Sequence, residues 1–191
     1  MPKLYLASQS PRRHELLCQI DLAHERLAVD VDESRRADEA PEDYVIRLAR
    51  AKAEAGAIAV NRADTVVLGA DTTVVVDGDI LGKPVNRAAA RNMLTRLAGR
   101  AHDVLTAVAV TDGARTQSAL SRSRVVFRDI GADEIDAYLR AGEGDDKAGA
   151  YAIQGRAAIF VAQLDGSYSG VVGLPLCETA ELLANYGLRA F

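Results

Sequence analysis

The sequence predicts an α/β fold, a mixed β-sheet flanked by helices. Three observations carry that prediction. Short apolar runs alternate with segments of helical period, the pattern of strands interleaved with helices. Two Asp-Gly dipeptides, Asp77-Gly78 and Asp112-Gly113, separate β-prone runs and read as hairpin turns. Hairpins make antiparallel pairs, so purely parallel winding is excluded and a mixed sheet remains.

Each element has its own signal. Residues 3–7 (KLYLA) read as a short buried strand. Ser10 is placed to cap a helix, with Pro11 at its first position. Leu16, Leu17 and Ile20 then share one face. Pro41 opens a second helix over 41–60, with Val45, Leu48 and Ala49 in helical period. Residues 65–70 (TVVLGA) are a central strand, and 73–76 (TVVV) continue extended into the first hairpin turn. Asn86 caps a third helix that ends before Gly99. Strands 103–111 and 115–128 flank the second hairpin turn. Residues 132–140 form a short helix with Ile135, Tyr138 and Leu139 inward, and 157–164 read as a strand. Pro175 opens a last helix that closes near Gly187.

The 191 residues match the length of one domain, and no linker, repeat or low-complexity segment divides residues 1–191. With 49% hydrophobic and 26% charged residues, the chain can bury a core without metal or disulfide staples. Its 23 basic residues fall short of its 27 acidic ones, which argues against a binder of duplex nucleic acid. No apolar run approaches the ~20 residues of a membrane helix, and the N-terminal apolar stretch is too short for a signal peptide. Cys18 and Cys177 lie far apart among apolar neighbours and are expected as reduced core residues of a cytoplasmic protein.

The chemistry concentrates in a few places. Ser8-Gln9-Ser10-Pro11-Arg12-Arg13 sits where a strand turns into a helix. A helix N-terminus exposes N–H groups and favours anions, and two hydroxyls with two guanidiniums complete a phosphate cradle. The plainer alternative is a capped helix start with two surface arginines. Lys52 falls on the apolar stripe set by Val45 and Leu48. It either meets a partner or ligand there, or snorkels its head to water. Asp71 follows the VVLGA run at a strand end, where α/β folds place their sites; a turn-capping role is the alternative. Glu33 stands in an acidic loop with Asp30 and Asp32; paired with Asp71, it can hold a hard divalent cation. Lys83 lies in a rigid LGKP loop. Lys147 and Gln154 are polar points in the small-residue segment KAGAYAIQG, each with a bland surface alternative.

Other chemistries find no support. The chain has no GxxxxGK[ST], GxGxxG or GxSxG sequence and no CxxC. His14, His24 and His102 form no pair with metal-ligand spacing, so structural zinc and His-dependent nucleophilic catalysis are poorly supported. Phosphate and a divalent metal remain.

The segments LASQSPRR, YVIRLARAKA, LGADTTVV, GKP, DKAGAYAIQG and VVGLPL, in this order, resemble the Maf family of septum-formation-inhibitor-like nucleotide pyrophosphatases. The resemblance runs from Leu4 to the last helix. It implies an elongated, twisted mixed sheet like that of inosine triphosphate pyrophosphatases. It also implies hydrolysis of a nucleoside triphosphate between its α- and β-phosphates, with Mg²⁺ or Mn²⁺ as cofactor. By the family pattern, Asp71 is the proton acceptor, and Ser8, Arg12, Arg13, Glu33, Lys52 and Lys83 line the phosphate and metal site. With the local readings added, Lys52 and Lys83 are expected to be catalytic, Ser8, Ser10, Arg12, Arg13 and Lys147 to bind substrate, and Glu33 and Asp71 to hold the metal. Arg12, Thr72 and Gln154 look like the branch acting on dTTP and UTP; the 7-methyl-GTP branch tends toward Trp, Gln and Glu there. The family often carries Asn where this chain has Gly170. A homodimer stays open, no membrane partner is expected, and 7-methyl-GTP, ITP or a nucleotide-binding role in cell division are the alternatives.

Overall fold

The computed structural model describes residues 2–191. The Val-rich run becomes one strand, β3 (Thr65–Val76), buried almost throughout, as expected for a strand covered on both faces. The first strand, β1 (Lys3–Ala7), pairs parallel with β3 and places Leu4 opposite Val66 and Leu6 opposite Leu68. On the other side β1 pairs parallel with β2 (His24–Leu27). A hairpin joins β3 to antiparallel β4 (Asp79–Leu81). Strands β5 (Ala101–Thr111), β6 (Thr116–Phe127) and β7 (Val161–Asp165) complete the order β2-β1-β3-β5-β6-β7, with β4 paired to β3. The sheet is mixed, and helices flank it.

The described residues divide into two compact units. One holds the chain through Asp71, together with Thr106–Ser121 and Gly173–Phe191. It contains helices α1 (Pro11–Gln19) and α2 (Pro41–Val60). Proline occupies the start of both, where its missing N–H costs nothing. Glu42 and Asp43 in the first turn of α2 complement its dipole, and Asn61 ends it in the left-handed region. The inner face of α2 is Val45, Leu48, Ala49, Ala53 and Gly56. Its small residues meet β3 at backbone distance. A Cβ on Gly69 would lie 2.4 Å from the Ala49 carbonyl oxygen and 2.5 Å from the Ala53 nitrogen. Only glycine allows that approach.

The other unit holds Thr72–Leu105 and Arg122–Val172. It contains α3 (Arg87–Leu97), α4 (Ala132–Arg140) and the short α5 (Tyr168–Val172). Asn86 caps α3 as expected, its Oδ1 accepting from the Ala89 N–H at 2.8 Å. Asp77 and Gly78 both have positive φ, the backbone of a tight two-residue hairpin turn. Val74, Leu94, Leu97, Phe127, Ile135, Leu139 and Phe160 form the core of this unit. The rings of His102, Phe127 and Tyr151 meet edge-to-face within it.

The structure corrects three local expectations and adds one strand that the sequence reading lacked. Residues Arg156–Phe160 form a 3₁₀ turn before β7, because Ala157 and Phe160 are buried three apart, the period of that helix. Strand β2 has no apolar alternation to announce it; Glu25 and Arg26 are exposed on an edge strand. Cys18 and Cys177 are exposed rather than in the core. Leu16 and Leu17 take the buried stripe of α1 and leave Cys18 off it. The last helix, α6 (Leu176–Ala184), turns Thr179 and Leu183 inward and leaves Cys177 outside. Among the described residues, no helix is long and apolar enough to cross a membrane.

Candidate active site

The first unit brings together most of the residues that the sequence singles out. Buried Ser8 follows β1 directly. Its Oγ accepts from the Ser10 N–H and from Arg13 Nη1, both at 3.2 Å. Arg13 Nε donates to the Gly173 carbonyl at 2.8 Å, and Gly173 has φ of 134°, a value side chains disfavour. One turn thus ties the end of β1, the start of α1 and the segment before α6. Ser10 occupies the cap position, but its hydroxyl makes no cap bond. No acidic residue stands in the first turn of α1, where Arg12 and Arg13 lie. Burial pulls the Arg13 guanidinium down from its ordinary range, and the charge of Asp71 opposes that shift ahead of the repulsion from Arg12.

Lys52 sits on α2 between Ala49 and Ala53, the two residues that touch Gly69. That contact fixes where its ammonium goes. Nζ lies 2.7 Å from Asp71 Oδ1 and 2.6 Å from Glu33 Oε1. The partner reading of Lys52 therefore holds, and snorkelling does not. Burial pushes the Asp71 carboxyl above its ordinary range. The charges of Lys52 and then Arg13 pull it back, while Glu33 pushes it further up.

The loop bearing Glu33 is anchored by α2. The Tyr44 hydroxyl donates to the Glu33 carbonyl at 3.0 Å. Arg47 forks onto Glu39 at 2.5 and 2.8 Å and also reaches the Ser34 carbonyl at 3.0 Å. That fork holds the Glu39 carboxyl down to about 2. Tyr44, Arg47, Glu39, Gly69 and the Gly173 carbonyl escaped the sequence reading. The one available signal was that Tyr44 and Arg47 stand a single turn apart on the helix that carries Lys52.

Thr72, Lys83, Lys147 and Gln154 belong to the second unit. There the Gly149 N–H donates to the Gly82 carbonyl at 3.2 Å, which sets the GKP loop beside the KAGAYAIQG segment. Gly149 has φ of 68°, and a Cβ on it would press Val74 at 2.9 Å. Lys83 and Gln154 are exposed, and Thr72 is half-buried. Lys147 is engaged locally, 2.5 Å from Asp146 Oδ1 and 2.6 Å from the Glu143 carbonyl.

The site of this α/β protein is thus a strand-to-helix turn with two arginines beside an ammonium shared by two carboxylates, groups of the kind that hold anions and cations. Comparison with known proteins gives the family. The model of the Maf-like protein family matches residues 3–186, and the chain belongs to that family. It is 56% identical over 186 residues to a dTTP/UTP pyrophosphatase of Methylococcus capsulatus, covering 97% of this chain and 92% of that one. It is 52% identical over 200 residues to a dTTP/UTP pyrophosphatase of Nitrosospira multiformis, covering 99% and 97% of the two chains. With the dTTP/UTP pyrophosphatase of Salmonella typhimurium it shares 50% over 186 residues, 97% and 94% of the two chains. Among solved structures, the Staphylococcus aureus Ham1 protein matches 66% of this chain and 72% of its own, with TM-score 0.48 and 17% identity.

Proposed function

We propose that this protein hydrolyses dTTP and UTP between the α- and β-phosphates, releasing the nucleoside monophosphate and pyrophosphate. The observation that carries the reading is the Glu33–Lys52–Asp71 cluster next to Arg13, in a chain about half identical to dTTP/UTP pyrophosphatases.

Each residue has a role in that reaction. Arg12, Arg13, Ser8, Ser10 and the N–H groups opening α1 bind phosphate oxygens. Asp71 accepts a proton from water, and its burial, which raises the carboxyl, makes it a better base. Water oxygen bonds to the α-phosphorus, and the bond to the bridging oxygen breaks. The electron pair leaves with pyrophosphate, whose charge Lys52 and Lys83 balance. Glu33 and Asp71 fit a hard divalent cation, since both carboxylates already converge on one cationic atom, Lys52 Nζ. Mg²⁺ or Mn²⁺ bound there would polarise the phosphate oxygens. Lys147 would exchange Asp146 and the Glu143 carbonyl for a phosphate oxygen. Arg12, Thr72 and Gln154 select the pyrimidine base. A cytoplasmic location goes with this reading.

The test is pyrophosphate release from dTTP, UTP, CTP, GTP, 7-methyl-GTP and ITP with Mg²⁺, Mn²⁺ or EDTA. Metal-dependent turnover of dTTP and UTP is expected. Turnover of 7-methyl-GTP instead would keep the reaction and remove Arg12, Thr72 and Gln154 from base selection. Nucleotide binding without turnover would favour a regulatory role.

A further inference from the structure

His14, Cys18 and His24 take no part in the proposed reaction, yet the fold gathers them. His14 and Cys18 stand four residues apart on α1, and His24 opens β2. One ligand atom from each lies within 4.8 Å of the others. His14 Nδ1 is 2.8 Å from His24 Nε2, and Cys18 Sγ is 3.8 Å from both ring nitrogens of His14. His24 Nδ1 is 2.7 Å from the Leu22 carbonyl, which can only accept, so that nitrogen carries the proton. In the neutral ring, the His24 Nε2 lone pair then points into the cluster. A backbone carbonyl holding the far nitrogen is how ligating histidines are oriented on metals.

We propose that His14, Cys18 and His24 form a zinc-class transition-metal site, separate from the Glu33–Asp71 pair. Zn–N bonds near 2.05 Å and Zn–S near 2.3 Å, in tetrahedral array, separate the ligand atoms by ~3.3 Å (N to N) and ~3.6 Å (S to N). The His14–His24 separation differs from the first by about half an ångström and the Cys18–His14 separation from the second by a few tenths. The Cys18 and His24 ligand atoms lie within 4.8 Å, and exposed Cys18 has room to close on half-buried His24. Binding displaces the thiol proton to solvent as the sulfur becomes thiolate. His14 moves its proton from Nδ1 to Nε2, and both imidazoles stay neutral. The exposed side at Cys18 leaves the fourth position to water. Two imidazoles and a thiolate select a borderline or soft metal, whereas the carboxylate pair suits Mg²⁺ or Mn²⁺. The bound ion would tie the C-terminal turn of α1 to β2 across the turn at Asp21, whose φ is 54°.

The test is titration of EDTA-stripped protein with Co²⁺ and Zn²⁺ in excess Mg²⁺. One equivalent is expected to bind, with thiolate-to-cobalt charge-transfer absorption in the near ultraviolet and a higher melting temperature with Zn²⁺. Cys18→Ser should abolish that absorption, and His24→Gln should weaken binding ~10-fold or more. Both variants should keep native circular dichroism and Mg²⁺-dependent turnover. The site fails if no saturable Co²⁺ binding occurs, if Cys18→Ser binds as the parent does, or if Mg²⁺ displaces the ion competitively.

Discussion

Lys52 is 12% exposed and lies within 2.7 Å of two carboxylates, one of them as buried as itself. Removing one partner of such a cluster costs more than making it gains, since the remaining charges stay desolvated. Lys52→Met should therefore destabilise the protein, by about 3 kcal/mol at neutral pH. The sign of its pH dependence follows from Asp71. Without Lys52 the Asp71 carboxyl rises further above its unfolded value. A raised carboxyl is stabilising while protonated and loses that contribution as pH climbs through its folded value. The deficit of Lys52→Met should therefore shrink in acid and grow toward alkaline pH, as urea midpoints would report. His102 gives a second test. It is 3% exposed, its Nε2 meets the Tyr151 hydroxyl at 2.9 Å and its Nδ1 has no hydrogen-bond partner among the described residues. Burial holds its imidazole down to about 4. The unfolded chain then binds the extra proton below the ordinary histidine value of about 6.5. Stability should fall as pH drops from there toward about 4, by about 3 kcal/mol in all. That part of the slope should vanish in His102→Phe.

At the scale of elements, the Lys52–Asp71 pair is set by how closely α2 lies on β3. Gly69 admits the backbone of Ala49 and Ala53, and Lys52 and Asp71 stand on either side of that contact. Gly69→Ala places a methyl where no side chain can yield, because both neighbours are backbone. Overpacking costs of about 1–3 kcal/mol are expected, with turnover lost more steeply than stability because Lys52 and Asp71 separate. Parallel measurement of urea midpoint and pyrophosphate release would detect this; an active Gly69→Ala protein would show that the close approach is dispensable. The Arg47–Glu39 fork works on a loop rather than a helix. Arg47→Ala should lower turnover through the Glu33 loop and lower the melting temperature as well, since Glu39 is left as a desolvated, unpaired carboxylate; Arg47→Lys should recover little of the turnover, since an ammonium lacks the fork.

For the whole molecule, the two proposed cation sites differ in chemistry and would carry different readouts. The Glu33–Asp71 pair is bridged by Lys52, so the folded first unit has its charges balanced by protein groups. Addition of Mg²⁺ to EDTA-stripped protein should restore turnover with little change in melting temperature. A large Mg²⁺-dependent gain in melting temperature would show instead that this site completes the fold. The division into two units also sorts the candidate residues: Ser8, Arg13, Glu33, Lys52 and Asp71 fall in one, and Thr72, Lys83, Lys147 and Gln154 in the other.

The sequence by itself determined the mixed α/β class, the cap at Asn86, the Asp77-Gly78 turn and the extent of α2. These follow from local rules: period, cap chemistry and φ preference act over a few residues. The family was legible separately, from the resemblance of six motifs in order. It also named Ser8 and Arg13 at a strand-to-helix turn and Lys52 and Asp71 beside buried runs, where polar groups stand out, and Glu33 as a partner for Asp71. Tertiary structure alone decided that Lys52 faces two carboxylates, that Gly173 holds Arg13 and that Arg47 pins the loop of Glu33. It also brought His24 to His14 and Cys18 and turned both cysteines outward. Each is a contact between segments far apart or on different elements, fixed by the packing of backbones that no local spacing encodes.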